Sequence, residues 1–540
     1  MIQNIQNQDY DEQMTSKFEG KIKDYNLEIG NSERGDPDII NLRFIEQLNI
    51  SRLKIYSNNP AAIKLQSKTI KELTLKLPVF RSGQDQALNL NVNDLELENI
   101  EALFLDGNRL ENNQLYNIAK FKKLHTLNVS YNNVDLTHIH NVANLTQLYM
   151  QGCDLKNIDQ IASLGNLQDL DLSENTQIDI SPLYKVDSLI KLDVSNCNLK
   201  QIVQISSLVN LKDLNIGQND IMDMSPLIKI KNLTKLCMCE CGLLNIDNIQ
   251  QLVKLEDLDL RSNRNIIITP LYNLKSLTKL SIQDCNLKQI DGIGTLTKLE
   301  VLDISFNQLQ NIDAIGLLTN LKQLDASFNN KIDQTPLKNL IGLQKLFLIC
   351  CGLTQLSALK PLIYLQFLYL HQNQNVDIIE IQHLKSLTHL NLMNCNLVSI
   401  CALRPLVNLK QLYIAFNKIV YLDAHLIGFK KLEQLTVNSN RINTSLLNHR
   451  ILNNIKQDNF DISDQTEPSM NELCEANKFK RMEDPIIQLK EIQNKRNTFK
   501  TTLNNLEQKI KALNSNANSN HIQFTSSVVQ LFQSNQAVSQ

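Results

Sequence analysis

An apolar residue opens a new unit of this chain every 22 residues, at Leu145, Leu167, Leu189, Leu211, Leu233, Leu255, Leu277, Leu299, Leu321, Leu343, Leu365, Leu387 and Leu409. Less regular units begin at Ile100 and Leu124 before that run and at Leu432 after it, making sixteen. Within a unit such as LQDLDLSENTQIDISPLYKVDS, Leu170 and Leu172 alternate with Asp169, Asp171 and Ser173. A side chain that changes face at every residue marks a strand, so the leucines are expected to enter a core and the other three residues to face away from it. Strands repeated at constant spacing stack in parallel, and sixteen of them at about 4.8 Å each form a ribbon about 75 Å long. The rest of each unit must turn and return to the next strand, which leaves room only for a short helical or extended segment.

One polar position interrupts the apolar register. Asn132, Cys153, Asn175, Cys197, Asn219, Cys241, Asn263 and Cys285 alternate there, Asn307 and Asn329 follow one another, and Cys351, Asn373, Cys395, Asn417 and Asn440 complete the series. An Asn at a buried turn can satisfy backbone groups of its own and adjoining units, and Cys replaces it as a small residue with a weak donor. The structural repeat is therefore often a 44-residue pair. Ser181-Pro182, Ser225-Pro226, Thr269-Pro270 and Thr335-Pro336 read as an N-cap followed by Pro at the first helical position.

The units fit L-x-x-L-x-L-x-x-N/C-x-L. On these residues, the stretch from about 95 to 445 resembles the 22-residue class of leucine-rich repeats found in the protein phosphatase 1 regulatory subunit and in bacterial internalins. The resemblance implies an α/β solenoid: a leucine-rich-repeat horseshoe with a parallel concave sheet and short helical or extended convex segments.

The flanks divide as follows. Residues 1–40 are polar and expected to be disordered or loosely packed, and 41–99 hold degenerate repeats that form an N-terminal cap. The regular array spans 100–445, and 446–483 reads as C-terminal cap and linker. Leu489, Ile492, Arg496, Phe499, Leu503, Leu506, Ile510 and Leu513 then recur at steps of three and four, which predicts a heptad helix over 484–513. That helix either covers the open end of the array or pairs with another copy, and the Asn/Ser-rich start of 514–540 predicts a flexible tail.

Composition narrows the function. With 54 basic and 56 acidic residues the net charge is -2, so no global field favours nucleic acid or an anionic membrane. The opening MIQNIQNQDY lacks the charged and apolar regions of a signal peptide, and no apolar run is long enough to cross a bilayer, so the expectation is an intracellular, cytoplasmic or nuclear protein. Of the eleven Cys, six stand at the turn position and are assigned a structural role. Cys237 and Cys239 point outward together, yet two thiols fall short of a tetrahedral zinc site, and no metal is assigned. Gly292-Ile293-Gly294 lacks the spacing of a phosphate loop, and the Asn-Leu-Thr triplets at Asn144 and Asn232 recur because the repeat contains them. No catalytic constellation and no cofactor motif is found, which points to a non-enzymatic protein.

The concave face carries the functional expectation. In one column of outward positions, Asp169, Lys191, Asp213, Lys235, Asp257 and Lys279 alternate in sign and are expected to satisfy one another. A second column contains Asp171, Asp193, Asp259, Asp303 and Asp325 and continues into Phe347, Tyr369 and Tyr413. Acids without a basic column beside them, running into exposed aromatics, suit a folded protein partner with a basic patch and an apolar anchor. The resemblance implies a Ser/Thr phosphatase catalytic subunit as that partner. The alternative is a structural or cytoskeletal assembly protein that forms a homo-oligomer through 484–513.

Overall fold

The computed structural model describes residues 24–29, 39–41, 50–57, 62–76, 90–442 apart from 222, 423–425 and 427, and 460–463, 465 and 466. The expected helix over 484–513 and tail over 514–540 lie outside the described residues, as does most of 446–483.

The described strands form one 20-stranded parallel sheet and a separate three-stranded one. In the regular array each strand is three residues long, as in Asp169–Asp171, Lys191–Asp193 and Asp213–Asn215. Register is unit to unit, with Leu170 opposite Leu192 and Leu192 opposite Leu214. The inward leucines Leu167, Leu170, Leu172 and Leu183 are completely buried. Each such side chain stabilises the solenoid by about 1.5–3 kcal/mol relative to exposure.

Strands stop after three residues because the chain bends at a left-handed residue just before each turn position. Glu174, Asn196 and Gln218 have φ of 60, 51 and 56°. This conformation is costly for a side chain with a Cβ, and the hydrogen bonds of the turn hold it. Asn175 Nδ2 donates to Met150 O (2.9 Å) and Leu172 O (2.8 Å), while Oδ1 accepts from Cys153 N (3.0 Å) and Leu155 N (2.9 Å) of the preceding unit. Cys197 Sγ donates to Leu172 O at 3.2 Å but offers no comparable acceptor. The paired asparagines follow from the same need: the N–H of Leu309 requires an acceptor, and Asn329 Oδ1 supplies it at 3.0 Å.

The return segments are mostly 3-10 helices, such as Ser181–Lys185 and Val203–Ser207, with one α-helical turn at Leu136–Ile139. Here the capping expectation is corrected. Ser181 lies inside the helix, its own side chain makes no cap, and Asp179 Oδ1 instead accepts from Ser181 N at 2.8 Å. Asp223 and Asp333 cap Ser225 and Thr335 in the same way, and these donors hold all three carboxyls below their ordinary range. The glycines that suggested a phosphate loop lie in the helix Asp291–Thr295, where a Cβ on Gly292 would meet the Tyr272 ring; packing accounts for that glycine.

Both ends extend beyond the sequence boundaries. Asp24–Ile29, inside the stretch expected to be loosely packed, pairs in parallel with Arg52–Ser57, which pairs with Glu72–Lys76. The alternation of Tyr25, Leu27 and Ile29 is the period-two signal hidden in that polar segment. Ile39–Asn41, Ala62–Ser67 and Leu95–Leu97 make the separate sheet, so the degenerate units carry a second strand where the regular ones carry a 3-10 helix. At the other end, Phe460–Asp461 pairs with Leu435 and Thr436, and Gln465 assumes the turn role by accepting from Ile442 N at 3.0 Å and donating to Val437 O at 3.0 Å.

Candidate interaction surface

All eight sequence-predicted residues occupy the third position of their strands. Parallel register aligns Asp171 with Asp193, Cys237 with Asp259, Asp303 with Asp325, Asp325 with Phe347, Phe347 with Tyr369, and Asn391 with Tyr413. The structure thus brings Asp171, Asp193, Asp259, Asp303, Asp325, Phe347, Tyr369 and Tyr413 into one line along the sheet, on the face opposite the leucines.

The acids also serve the fold. Asp171 Oδ1 accepts from Ser173 N (2.9 Å) and Ser173 Oγ (2.6 Å), and Asp193 and Asp303 bind Ser195 and Ser305 alike. Asp325 Oδ1 accepts from Ser327 N at 2.9 Å. Asn128, Asn215 and Asn391 do the same work in their own units, so the column selects a side-chain carbonyl or carboxylate that closes a local turn. Ser173 is consequently buried and not displayed with Asp169 and Asp171, a correction to the strand reading.

Charge is what Asp adds over Asn. Burial pushes Asp171 and Asp325 above the ordinary carboxylate range against the lowering by Ser173 and Ser327, and the adjacent carboxylates of Asp193 and Asp303 push the same way. Asp259 differs, because Arg261 clamps it with Nε at 2.9 Å and Nη2 at 2.7 Å. The other column is self-satisfied as expected: Lys191–Asp169, Lys235–Asp213 and Lys279–Asp257 each close at 3.3 Å.

Residues 143–185, 275–316 and 297–341 match the family model described as leucine-rich repeats in two copies. The chain is a leucine-rich-repeat protein. Among solved structures it is similar to a leucine-rich-repeat protein from Leptospira interrogans, at 25% identity and a TM-score of 0.51, covering 67% of this chain and 90% of that one. An internalin, inlF, from Listeria monocytogenes is 27% identical with a TM-score of 0.48, over 61% of this chain and 88% of that one. The functional domain of InlJ from Listeria monocytogenes, which includes a cysteine ladder, is 20% identical with a TM-score of 0.47, over 61% and 74%. A comparison with curated protein sequences found no match. Leucine-rich-repeat arrays are generally protein-interaction scaffolds rather than catalysts.

In this leucine-rich-repeat protein the aromatic end of the sheet is broader than one column. Phe347 meets Tyr369 edge to face at 5.1 Å, Phe367 stacks on His389 at 4.1 Å, and Lys345 Nζ lies 5.2 Å from the Phe367 centroid. His371 lies 6.4 Å from Tyr369, is half-buried, and has Nδ1 out of contact with water or any hydrogen-bond partner. Tyr413 contributes less to this patch, since its hydroxyl is engaged by Gln411 and Gln434. At the rim, Phe306 and Phe328, themselves the left-handed turn residues that follow Asp303 and Asp325, stack on each other at 4.2 Å.

Sequence reasoning named Phe347, Tyr369 and Tyr413 but missed Phe367, His389, His371, Phe306 and Phe328. The signal for the first two was available, because the charge-alternating column continues from Lys279 into Val301, Gln323, Lys345, Phe367 and His389. The rim phenylalanines immediately precede the turn position, and His371 holds the place of Ser173, which was read as outward strand; at neither place does the repeat distinguish exposed from packed.

Proposed function

We propose that this leucine-rich-repeat protein is a non-enzymatic scaffold that holds a folded protein partner on its concave face, across the strands from Val301–Asp303 to His389–Asn391. The observation that supports this reading is the change of character along one continuous sheet. Up to Lys279 the column that begins at Asp169 consists of Asp–Lys pairs; beyond it that column turns into Phe367 and His389, and aromatic rings pack edge to face or stacked alongside Asp303 and Asp325, which, like Asp171 and Asp193, no cation pairs among the described residues. Partly exposed rings already packed together lose little side-chain freedom on docking, which suits them as anchors, and adjacent carboxylates favour a basic surface.

The partner is therefore a protein with a basic patch next to an apolar projection, met in an intracellular compartment. A Ser/Thr phosphatase catalytic subunit is the candidate that the repeat resemblance suggests, and the array would act as its regulatory subunit. The test is affinity capture with the full chain, using Asp303→Asn with Asp325→Asn, which keep the turn acceptors, and Phe347→Ala with Tyr369→Ala. Both pairs should lose the partner, and the Asn pair should abolish most of the salt dependence of binding. Recovery of the same proteins at equal yield by either variant would refute this placement, and absence of a phosphatase from the wild-type capture would remove that candidate.

A further inference from the structure

Outside the aromatic patch, one cluster on the same face departs from the repeat in three places at once. Cys237 occupies the column position held by Asn215 and Asp259 in the neighbouring strands, and Cys239 stands where Ser173, Ser195, Ser305 and Ser327 stand in other units. Cys241 makes that unit's buried turn bond to Ile216 O at 3.3 Å, so neither of the other two sulfurs holds the Asn/Cys turn position. Gly217 is the third departure: it replaces the serine of other units, and a Cβ there would come within 2.7 Å of Cys239 Sγ. The neighbouring strand has thus given up a side chain where the sulfur lies.

The two sulfurs are 3.4 Å apart, and with a carboxylate oxygen of Asp259 they lie within 4.8 Å of one another, half-buried. We propose that Cys237, Cys239 and Asp259 bind one thiophilic divalent ion of the zinc kind, with a fourth position open to solvent. Tetrahedral bonds of about 2.3 Å place two zinc-bound sulfurs about 3.8 Å apart. That is a smaller shift from 3.4 Å than closure to a disulfide at about 2.05 Å. Two thiolates and a carboxylate carry one negative charge more than the ion neutralises, and Arg261, already on Asp259, balances it. Binding releases the thiol protons to solvent, and the open fourth position is the arrangement of zinc sites that accept an exogenous ligand.

The test is Co(II) titration of the reduced full chain, read by the thiolate-to-cobalt charge-transfer band and followed by Zn(II) displacement. Cys237→Ser with Cys239→Ser and, separately, Asp259→Asn are suitable variants, because Ser281, Ser195 and Asn215 already occupy equivalent positions without loss of the turn. Cys350→Ser controls for an exposed thiol. The wild type and the Cys350 variant should take up one equivalent with the band. The double serine variant should show none, and Asp259→Asn should keep the band with affinity weakened at least about tenfold. Absence of the band in the wild type, its persistence in the double serine variant, or its loss in the Cys350 variant would overturn the proposal.

Discussion

Replacing Asn175 by Cys tests the physical account of the turn series directly, because Cys is the residue that the next unit uses at the same place. The Asn175 side chain is completely buried. Its Nδ2 bonds to Met150 O and Leu172 O can be imitated by a thiol, as Cys197 Sγ does toward Leu172 O at 3.2 Å and Ser195 O at 3.4 Å. Its Oδ1 bonds cannot. Cys153 N and Leu155 N, at 3.0 and 2.9 Å, would lose their acceptor inside the solenoid. Each orphaned buried donor costs about 1–3 kcal/mol, so Asn175→Cys should destabilise by about 2–6 kcal/mol. Cys197→Ala removes only a weak donor and one sulfur from a tight site, for which about 1 kcal/mol is expected. Since a repeat array stores its stability in neighbour contacts, the loss should appear as local opening: amide exchange around 150–180 should accelerate in Asn175→Cys well before global urea unfolding shifts. If Cys197→Ala proved as costly as Asn175→Cys, or if exchange rose equally along the array, the acceptor argument would be wrong.

Asp325→Asn should stabilise the protein at neutral pH, since Asn391 shows that Asn closes the same turn. Because the folded Asp325 carboxyl is pushed up by burial first and by Asp303 beside it, its contribution is present below the ordinary Asp value and lost as pH rises through the raised one. The melting temperature of the variant should therefore exceed that of wild type at pH 7 and converge with it near about pH 3; a lower value at pH 7 would count against the placement. Leu258→Ala, at a fully buried strand leucine, should cost about 2–5 kcal/mol in denaturant titration. In brief iodoacetamide labelling of the native protein, read by peptide mass spectrometry, exposed Cys350 should react ahead of Cys153, Cys197, Cys285, Cys351 and Cys395. Burial pushes those five thiols up to about 11 or about 12, so rapid labelling of any of them would contradict the buried turn.

Much of the candidate site was legible because a period of 22 with two-residue alternation fixes which side chains share a column. Asp171 through Tyr413 could be aligned without coordinates for that reason. The dual role of the acids was not legible. Asp at 171 and Asn at 215 look like a charge difference along the chain, yet both close the same turn through a side-chain oxygen. The capping residue was misplaced by two residues for a related reason: Ser181-Pro182 carries the familiar pairing, while the 3-10 geometry hands the acceptor role to Asp179.

Spacing alone thus determined the solenoid, its parallel register, its leucine core and the membership of each outward column, because burial against an identical neighbour leaves a repeated sequence one economical arrangement. Tertiary structure decided what each outward residue has left to offer a partner. Whether a cation reaches Asp303, whether Phe367 stacks on His389, whether Gly217 leaves space for Cys239, and whether Gln465 can continue the turns of the asparagines are properties of residues 22 or more positions apart. Those relations exist only once adjacent units lie a strand's width from each other, where hydrogen bonds and packing act between units.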